Sequence, residues 1–255
     1  MKDIIFNIII LIIILRLFYY YNKKELFIEN SKSLIPKVII STYHTKNKIP
    51  SKVYNNIKRY APNYKFIIFD DNDIVNFFKK YYGSSILEAF YNLDGPHKAD
   101  LFRYCYLYKF GGIYLDIKTV LIKNIDTIFN KKNIHLYTVI SKTNYTIHQG
   151  VIASIPKNPI FNSLISYIVK INKPVKTYFA FTIDFYKKLK KECGVNRLKN
   201  GILKNNIGNN TYLFYEKCTK NKNDCEDGLD RYNRCCYIYD KGIKIIKTRY
   251  SDYPW

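Results

Sequence analysis

Two short hydrophobic runs that flank a helix-like segment constrain the fold of this chain more than any other feature. PKVIIST, Pro36 to Thr42, and KFIIFD, Lys65 to Asp70, have the composition of strands that are buried on both faces. Ser51 to Arg59 predicts a helix between them, and Asp71 to Asp73 supply caps for a second helix. This βαβα order predicts an α/β fold with a parallel sheet, in which ligands bind beyond the carboxyl ends of the strands.

The ends of these two strands carry polar residues. Ser41 and Thr42 end the first strand, and Asp70 ends the second. Because the carboxyl ends of parallel strands meet at one edge of the sheet, we expect these three side chains to face a common ligand site.

The segment PHKADLFRYCYLYKFGG predicts a helix that begins at Pro96 and is ended by Gly111 and Gly112. Asp100 and Arg103 lie three residues apart and therefore share one face of this helix. Taken alone, the two residues are interpreted most simply as a structural ion pair.

A third strand, IYLDIK, follows the glycines directly. Its residues Tyr114, Asp116 and Lys118 point to one side, and the apolar residues that alternate with them point to the other. Asp116 and Lys118 form a charged pair at the end of a buried strand, beside a helix that carries another charged pair. A hydrophobic core does not require two such pairs. The combination predicts a functional site at this edge of the sheet.

The formal net charge of +22 would ordinarily suggest a phosphate-rich partner such as nucleic acid, an anionic membrane or a nucleotide. The chain is also rich in Asn, Ile, Tyr and Phe, which favours an AT-rich coding sequence and lysines scattered over a solvated surface. The basic clusters Lys187-Lys188 and Lys190-Lys191 are short, and no nucleic-acid motif accompanies them. We therefore expect no nucleic-acid partner.

The apolar run from Ile4 to Tyr21 is long enough to cross a bilayer once and ends in aromatic residues that suit an interface. No small-residue cleavage site follows it, so we predict a membrane anchor over residues 1–21 rather than a cleaved signal peptide. Residues 22–34 predict a polar stem, and residues 35–255 predict one folded domain. Lys23 and Lys24 favour a cytoplasmic domain under the positive-inside rule.

The cysteines favour the opposite orientation. Four of the six crowd into one loop-like region, namely Cys218, Cys225, Cys235 and Cys236. Their spacing matches no paired zinc-ligand pattern, which leaves one or two disulfides or free thiols. Disulfides fit a lumenal domain, and the sequons at Asn144 and Asn209 are compatible with it. We predict a single-pass type II membrane protein with a lumenal, Golgi- or ER-like domain.

The pattern P-x-K-A-D-L-x-R-Y-x-x-L-Y-x-x-G-G-I-Y-L-D, from Pro96 to Asp116, closely resembles the signature of the DXD-containing sugar transferases (glycosyltransferase family 32-like). This family includes the yeast initiation-specific mannosyltransferases and the mannosyl-inositolphosphoceramide synthases. IPKVIISTYHT, Ile35 to Thr45, resembles the first strand of the family, and HQGVIASIPKNPIF, His148 to Phe161, resembles a later segment.

The resemblance implies a Rossmann-like GT-A fold with a mostly parallel central sheet. It also implies transfer of a hexose, such as mannose, galactose or glucose, from a GDP- or UDP-sugar to a glycan, lipid or protein acceptor. Retention at the anomeric carbon is part of the same expectation. The local residues agree, because a departing nucleotide diphosphate develops negative charge and needs positive potential beside it.

By resemblance, Asp100 and Arg103 bind the donor sugar, and Asp116 faces the sugar, the ribose or a metal ion. The other donor-binding residues that we predict are Ser41, Thr42, Tyr43, Asp70, Tyr104, Gly112, Tyr114, Gln149, Ser251 and Trp255. Packing in the core is the alternative for Tyr43 and Trp255. The histidines His44, His97, His135 and His148 show no ligand spacing and are predicted to be structural.

The chain departs from the family at Lys118. Members of the family carry a second carboxylate at this position, which ligates Mn²⁺ or Mg²⁺. An ammonium about 4 Å from a divalent ion opposes it by several kcal/mol per unit charge at an effective dielectric near 20. Lys118 thus replaces part of the metal's charge, turns aside while Asp116 and another acid such as Asp252 hold a weaker metal, or marks a degenerate enzyme.

Two other classes of function stay open beside the transferase. One is a membrane-tethered protein that binds sugar nucleotides or glycans without turnover. The other is a basic nucleic-acid binder, which would show strongly salt-dependent affinity for DNA or RNA.

Overall fold

The computed structural model describes residues 12–17 and 33–249, apart from residues 144, 176, 206–207, 226–227 and 231. Residues 12–17 form a short exposed helix, α1. The predicted anchor and stem lie mostly outside the described residues, and so do Ser251, Asp252 and Trp255. Among the helices of the described part, none combines the length and the apolar composition that a bilayer crossing requires.

The described residues of the folded domain contain ten strands and seven further helices. The strands are β1 (Val38–Thr42), β2 (Lys65–Phe69), β3 (Gly112–Leu115), β4 (Thr119–Leu121), β5 (Leu136–Ile140), β6 (Ile147–Ser154), β7 (Gly201–Leu203), β8 (Thr211–Thr219), β9 (Cys235–Asp240) and β10 (Ile243–Thr248). The helices are α2 (Ser51–Tyr60), α3 (Asp71–Tyr81), α4 (Ser84–Tyr91), α5 (Gly95–Phe110), α6 (Ile125–Ile128), α7 (Pro159–Ile171) and α8 (Ala180–Glu192).

All ten strands join one mixed sheet in the order β2-β1-β3-β6-β5-β8-β9-β10-β4, with β7 paired to β8. β1 is parallel to β2 and β3, and β5 is parallel to β8, whereas the remaining described pairings are antiparallel. The expectation of a mostly parallel sheet is therefore wrong.

The connections explain why the two halves of the sheet differ. Helices α2 to α5 make the crossovers that parallel strands need, and they lie between β1, β2 and β3. β9 and β10 are instead joined by Lys241 and Gly242, which both have positive φ, as a tight hairpin turn requires. The consecutive strands β8, β9 and β10 are thus direct antiparallel neighbours.

Both faces of the sheet are covered, and its central strands are buried on both sides. The edge strand β2 is only half-buried, so the expectation that the second strand is buried on both faces is wrong. Ile40 and Tyr114 pack with α3, α4, α5, α7 and α8 on one face. Ile39 and Ile113 pack with α2 and α6 on the other. The strand alternation therefore delivers neighbouring residues to two different cores, which confirms the expectation for the first strand. For the third strand it holds only to Leu115, where β3 ends, because Ile117 and Lys118 lie in a turn.

Two glycines let helix α5 turn directly into strand β3. A Cβ at Gly111, which has φ of 67°, would lie 2.7 Å from the backbone oxygen of Ser154. A Cβ at Gly112, with φ of 103°, would lie 2.8 Å from the backbone oxygen of Val38. Only residues without a side chain fit this close approach, and it holds the end of α5 against the sheet.

Two disulfides tie the C-terminal strands together. Cys218 in β8 is bonded to Cys236 in β9, and Cys225 in the intervening loop is bonded to Cys235. The cysteines Cys105 and Cys193 are buried free thiols. The crowded cysteines are therefore a disulfide framework rather than metal ligands.

Candidate active site

A cleft of about 490 Å³ opens at the carboxyl ends of β1 and β3. Because β6 is antiparallel to β3, the start of β6 lies at the same edge, with Val151 opposite Leu115. The N-terminal half of α5 forms another part of the lining. The predicted site residues that line the cleft are Thr42, Asp100, Arg103, Tyr114, Asp116, Lys118 and Gln149.

Arg103 is the centre of one group of these residues, and its side chain is only 5% exposed. Its Nη1 donates to the backbone oxygen of Gln149 at 2.6 Å and lies 3.2 Å from Asp100 Oδ1. Its Nη2 donates to Tyr114 Oη at 3.2 Å and lies 3.6 Å from Asp116 Oδ1. The guanidinium also stacks over the Tyr114 ring, 4.1 Å from the centroid.

We call Asp100, Arg103, Tyr114 and Asp116 the Arg103 network. Tyr114 completes it, because its hydroxyl donates to Asp116 Oδ1 at 3.1 Å and shares a 2.9 Å hydrogen bond with Thr42 Oγ1. One arginine thus orients two carboxylates from different elements. This is a rigid arrangement for accepting hydrogen bonds from hydroxyl groups of a bound molecule.

Gly150 in β6 makes room for Asp116. A Cβ at this position would lie 2.7 Å from Asp116 Oδ2 and 2.8 Å from His148 Nε2. The backbone N–H of Asp116 also donates to the Gly150 oxygen at 2.8 Å. The position of the Asp116 carboxylate therefore depends on a glycine 34 residues later in the sequence.

The two carboxylates of the network have different protonation behaviour. Burial raises the pKa of Asp100 to about 6, although the charge of Arg103 opposes the rise. Burial would also raise the pKa of Asp116, but the positive charges of Arg103 and Lys118 hold it below its ordinary value. Asp116 is therefore ionised at neutral pH, and Asp100 changes its protonation in the mildly acidic range.

A second group of charged residues at the cleft is entirely cationic. Lys118 is half-buried beside Asp116, and Lys142 and Arg234 line the same cleft. Arg249 lies with Lys118, Asp116 and His148 around a small adjoining recess. We call Lys118, Lys142, Arg234 and Arg249 the basic wall.

Glu216, a buried carboxylate of β8, lies behind the basic wall. Its Oε1 accepts from Thr248 Oγ1 at 3.0 Å, and its Oε2 accepts from the Lys142 backbone N–H at 3.2 Å. His148 Nδ1 lies 3.9 Å from Glu216 Oε1, while Nε2 of the same ring faces the Asp116 side of the cleft. His148 therefore belongs to the site.

Tyr178 and Phe179, in the loop before α8, line the cleft as well, and both are exposed. The loop is held to α5, because His97 Nε2 lies 3.3 Å from the backbone oxygen of Tyr178. Although Tyr178 as a whole is exposed, desolvation of its phenol group by neighbouring atoms and the charges of Asp116 and Asp100 raise its pKa.

The cleft residues that the sequence reasoning missed lie far apart in the chain. They are Lys142, His148, Gly150, Tyr178, Phe179, Arg234, Glu216 and Arg249. In some of the strands that carry them, polar residues alternate with apolar ones. No local motif, however, distinguishes these residues from other lysines, arginines and aromatics in the sequence. Only tertiary packing brings them to the cleft.

Three of the predicted donor-binding residues lie away from the cleft lining. The side chains of two of them form hydrogen bonds with backbone groups, and the third is a glycine packed against the backbone of another strand. Ser41 Oγ donates to the backbone oxygen of Leu115 at 2.6 Å. Asp70 accepts from the Asp73 backbone N–H in a capping box at the start of α3. Gly112 is pressed against the backbone of Val38.

Tyr43 and Tyr104 are also outside the lining. Tyr43 is buried in a small cluster with Ile49 and Ile117, so core packing describes it best. Tyr104 is fully buried, but its hydroxyl accepts from Gln149 Nε2 at 2.5 Å. Tyr104 thus contacts the cleft only through Gln149.

The residues at the cleft do not fit a divalent metal site of the D-x-D type. Among the described residues, the two carboxylates that line the cleft, Asp100 and Asp116, pair with Arg103, and the second D-x-D position carries the ammonium of Lys118. Mn²⁺ and Mg²⁺ require several hard oxygen ligands, which this donor set does not supply.

One cluster in the described residues has three potential metal ligands. It contains Glu216 with Cys218 and Cys236. The two cysteines are joined by a disulfide, so they offer no thiolate to a metal. This cluster therefore does not replace the missing D-x-D carboxylate.

Residues 49–135 match the family described as the glycosyltransferase sugar-binding region containing a DXD motif. This segment is similar to a DXD-type sugar-binding region. The match covers the whole of α5 and β3 as well as Lys118, so the matched segment contains the complete Arg103 network. The family resemblance that the sequence predicts is confirmed.

Relatives with curated names match parts of the chain. Mannosyl phosphorylinositol ceramide synthase CSH1 of Saccharomyces cerevisiae is 29% identical over 157 residues, which cover 60% of this chain and 38% of that protein. The initiation-specific alpha-1,6-mannosyltransferase of the same yeast is 37% identical over 71 residues, or 27% of this chain and 15% of that protein. The chain thus matches well under half the length of either relative.

Among solved structures, one titled PaToxG Glycosyltransferase is similar to part of the chain. The sequence identity is 16%, the likeness covers 62% of this chain and 69% of that one, and the TM-score is 0.45.

Proposed function

We propose that this chain is a glycosyltransferase that moves a hexose from a nucleotide-diphosphate sugar to a glycan, lipid or protein acceptor. The observation that carries the proposal is the Arg103 network, which lies in a cleft at the sheet edge and belongs to the segment that is similar to a DXD-type sugar-binding region. Both relatives named above are mannose-transferring proteins by name, so mannose is the hexose to test first.

The Arg103 network binds and orients the donor sugar in this proposal. The carboxylates of Asp100 and Asp116 accept hydrogen bonds from sugar hydroxyls, and Arg103 holds both carboxylates in place from a buried position. Fixed acceptors that need no reorganisation favour the reactive pose of the sugar.

Stereochemistry and fold are part of the same proposal. We infer a GT-A-type domain, which is supported by the parallel strands β2, β1 and β3 and by a cleft at their carboxyl ends. We infer transfer with retention at the anomeric carbon from the family resemblance. Nuclear magnetic resonance of the product, which reads the anomeric configuration directly, tests it.

A lumenal location is the cellular part of the proposal. Two disulfides in a 255-residue chain favour an oxidising compartment. We propose that residues 1–21 anchor this domain to the membrane as a type II protein. A glycosylation shift at Asn209 in cells, abolished by Asn209→Gln, would support the orientation, and an unglycosylated protein facing the cytosol would contradict it.

The activity is tested with the purified full chain and a panel of GDP-mannose, UDP-galactose, UDP-glucose and UDP-N-acetylglucosamine. We expect slow hydrolysis of one donor, and Asp116→Asn should lower its rate by about 10²-fold or more. Asp71→Asn, an exposed carboxylate at the start of α3, is the matched control and should leave the rate unchanged. A panel without binding or hydrolysis contradicts the proposal, and binding without hydrolysis favours a sugar-nucleotide-binding protein.

A further inference from the structure

The basic wall brings four cations to one side of the cleft through strand pairing. In the register of β4 and β10, Thr119 lies opposite Thr248, so Lys118 and Arg249 follow as neighbours at the cleft end. Thr248 also lies opposite Cys236 in β9. The backbone before that strand carries Arg234, which lines the cleft. The cations are thus placed by the sheet rather than by flexible loops alone.

Lys142 extends the same wall from the end of β5. Its backbone N–H donates to Glu216 Oε2 at 3.2 Å, and its side chain lines the cleft with Lys118 and Arg234. Lys142 is therefore joined to the sheet through a buried carboxylate of β8. This link makes the wall a built feature of the fold.

Acidic side chains adjoin the wall, and Asp116 beside Lys118 is one of them. Glu216 and Asp230 approach it, and Asp230 Oδ2 lies 3.8 Å from Arg234 Nε. Burial lowers the pKa of Lys142, and the like charges of Arg234 and Lys118 lower it further, against the attraction of Glu216. Crowded like charges of this kind are relieved when an anion binds among them.

We propose that protein cations, rather than a divalent metal ion, hold the diphosphate of the donor in this cleft. The proposal rests on the proposed transferase function. Lys118 occupies the position at which the D-x-D family has its second acid, and it lies beside Asp116. The ammonium and guanidinium groups of the basic wall bind phosphate oxygens directly by charge-assisted hydrogen bonds.

The same cations act on the leaving group during transfer. The bond between the sugar C1 and the β-phosphate oxygen breaks, and its electron pair stays on that oxygen. A bond forms between C1 and the acceptor oxygen, and the acceptor's hydroxyl proton passes to the departing phosphate or to water. The basic wall stabilises the negative charge that appears on the diphosphate, which is the task of the metal in D-x-D sites.

The first experiment compares binding of GDP, UDP, inorganic pyrophosphate and the free nucleosides by calorimetry, in EDTA and in Mn²⁺ or Mg²⁺. We expect the affinity of the full chain for its nucleoside diphosphate to stay within about 2-fold when EDTA is added. Donor hydrolysis should also persist in EDTA. Loss of both in EDTA, with recovery in Mn²⁺, would show that a metal is needed and overturn the inference while leaving the transferase function intact.

The second experiment identifies the groups that bind the diphosphate. Lys118→Ala and Arg249→Ala should each weaken binding of the diphosphate about 10-fold or more, with nucleoside binding unchanged. Lys191→Ala, an exposed cation near the end of α8, should change neither. Unchanged diphosphate affinity in both wall variants would refute the assignment of these cations, even if activity persists in EDTA.

Lys118→Asp, which restores the D-x-D spacing, sharpens the distinction. This variant should lose diphosphate affinity in EDTA and regain part of it with Mn²⁺, because two carboxylates then stand where hard ligands are required. Its thermal unfolding midpoint should stay near that of the unmodified chain, which excludes misfolding as the cause. If neither protein binds or splits any donor under any condition, the proposed function itself fails.

Discussion

The Arg103 network and the basic wall occupy the same cleft but are built in opposite ways. The network comes from one continuous stretch, Pro96 to Asp116, and its acids and its arginine satisfy one another. The basic wall comes from four separated segments and carries charges of one sign. A network of paired charges suits a neutral sugar, whereas a wall of crowded positive charges suits an anion.

The largest expected effect comes from breaking the network at its centre. Arg103→Ala leaves Asp100 and Asp116 close together without their shared cation, and the free energy of unfolding should fall by about 3–5 kcal/mol. Donor hydrolysis should fall by about 10³-fold. Urea denaturation and a hydrolysis assay measure the two effects.

Arg59→Ala is the control for this change, because Arg59 is exposed at the end of α2. Its unfolding free energy should change by less than about 0.5 kcal/mol. If Arg103→Ala changed the unfolding free energy as little as this control, the proposal that Arg103 holds the two carboxylates in place would be contradicted.

A smaller effect is expected at Gly150, which adjoins the Asp116 carboxylate of the network. The methyl group of Gly150→Ala would displace Asp116 Oδ2 and His148 Nε2, which lie 2.7 and 2.8 Å from the Cβ position. Hydrolysis should fall by about 10–10²-fold through misplacement of the carboxylate. The loss of stability should be only about 1–3 kcal/mol.

Gly95→Ala provides the matched substitution, since no atom lies within 4 Å of its Cβ position. It should leave the rate unchanged. Equal rates for both alanine variants would mean that the position of Asp116 does not depend on Gly150.

A third change acts on the basic wall without touching the network. The double variant Cys218→Ser and Cys236→Ser opens the disulfide that joins β8 to β9 over 18 residues, which should cost about 3 kcal/mol of stability. Affinity for the nucleoside diphosphate should fall several-fold, because Cys236 lies opposite Thr248 at the base of the wall.

Cys193→Ser is the comparison, since this buried free thiol packs in the helical core. It should lower the thermal midpoint without changing diphosphate affinity. A double variant that binds the diphosphate as tightly as the unmodified chain would show that the wall does not need this cross-link.

The smallest expected effect is a pH dependence that belongs to the network alone. The pKa of Asp100 is about 6 in the folded chain, against an ordinary value of 3.8. Between about pH 4 and 6 the folded state holds a proton that the unfolded state has released, so the free energy of unfolding falls as the pH rises. Hydrolysis should rise over the same range, because the sugar needs an ionised acceptor.

Asp100→Asn should flatten the stability profile between pH 4 and 6 and remove the rise of the rate. Guanidinium titrations and rate profiles over pH 4–8 measure both. If the rate of Asp100→Asn still rose with pH near pH 6, the titrating group would be a residue other than Asp100.

Much of the N-terminal half could be predicted because its signals are local. The first two strands and the helix between them lie where the β-branched runs and Ser51 place them. Asp70 shows the limit of such reasoning. Its position at a strand end predicts a ligand contact, but its carboxylate caps α3 instead, because an unsatisfied backbone N–H lies within reach.

The C-terminal half could not be predicted to the same degree. The pairing of β8, β9, β10 and β4 joins residues that are as much as 129 positions apart, and several registers satisfy their alternating pattern. The mixed sheet and the presence of Glu216 behind the cleft are therefore absent from the sequence predictions.

The sequence by itself determined the Arg103 network, because helix periodicity, two glycines and strand alternation place Asp100, Arg103 and Asp116 on one side within a short stretch. The tertiary structure alone decided what surrounds Lys118. In the sequence, Lys118 is only a departure from the family pattern. In the folded chain, Lys142, Arg234 and Arg249 lie around the same cleft as Lys118. The physical reason is that local geometry follows from neighbouring residues, but an electrostatic field is the sum of charges that only folding brings together.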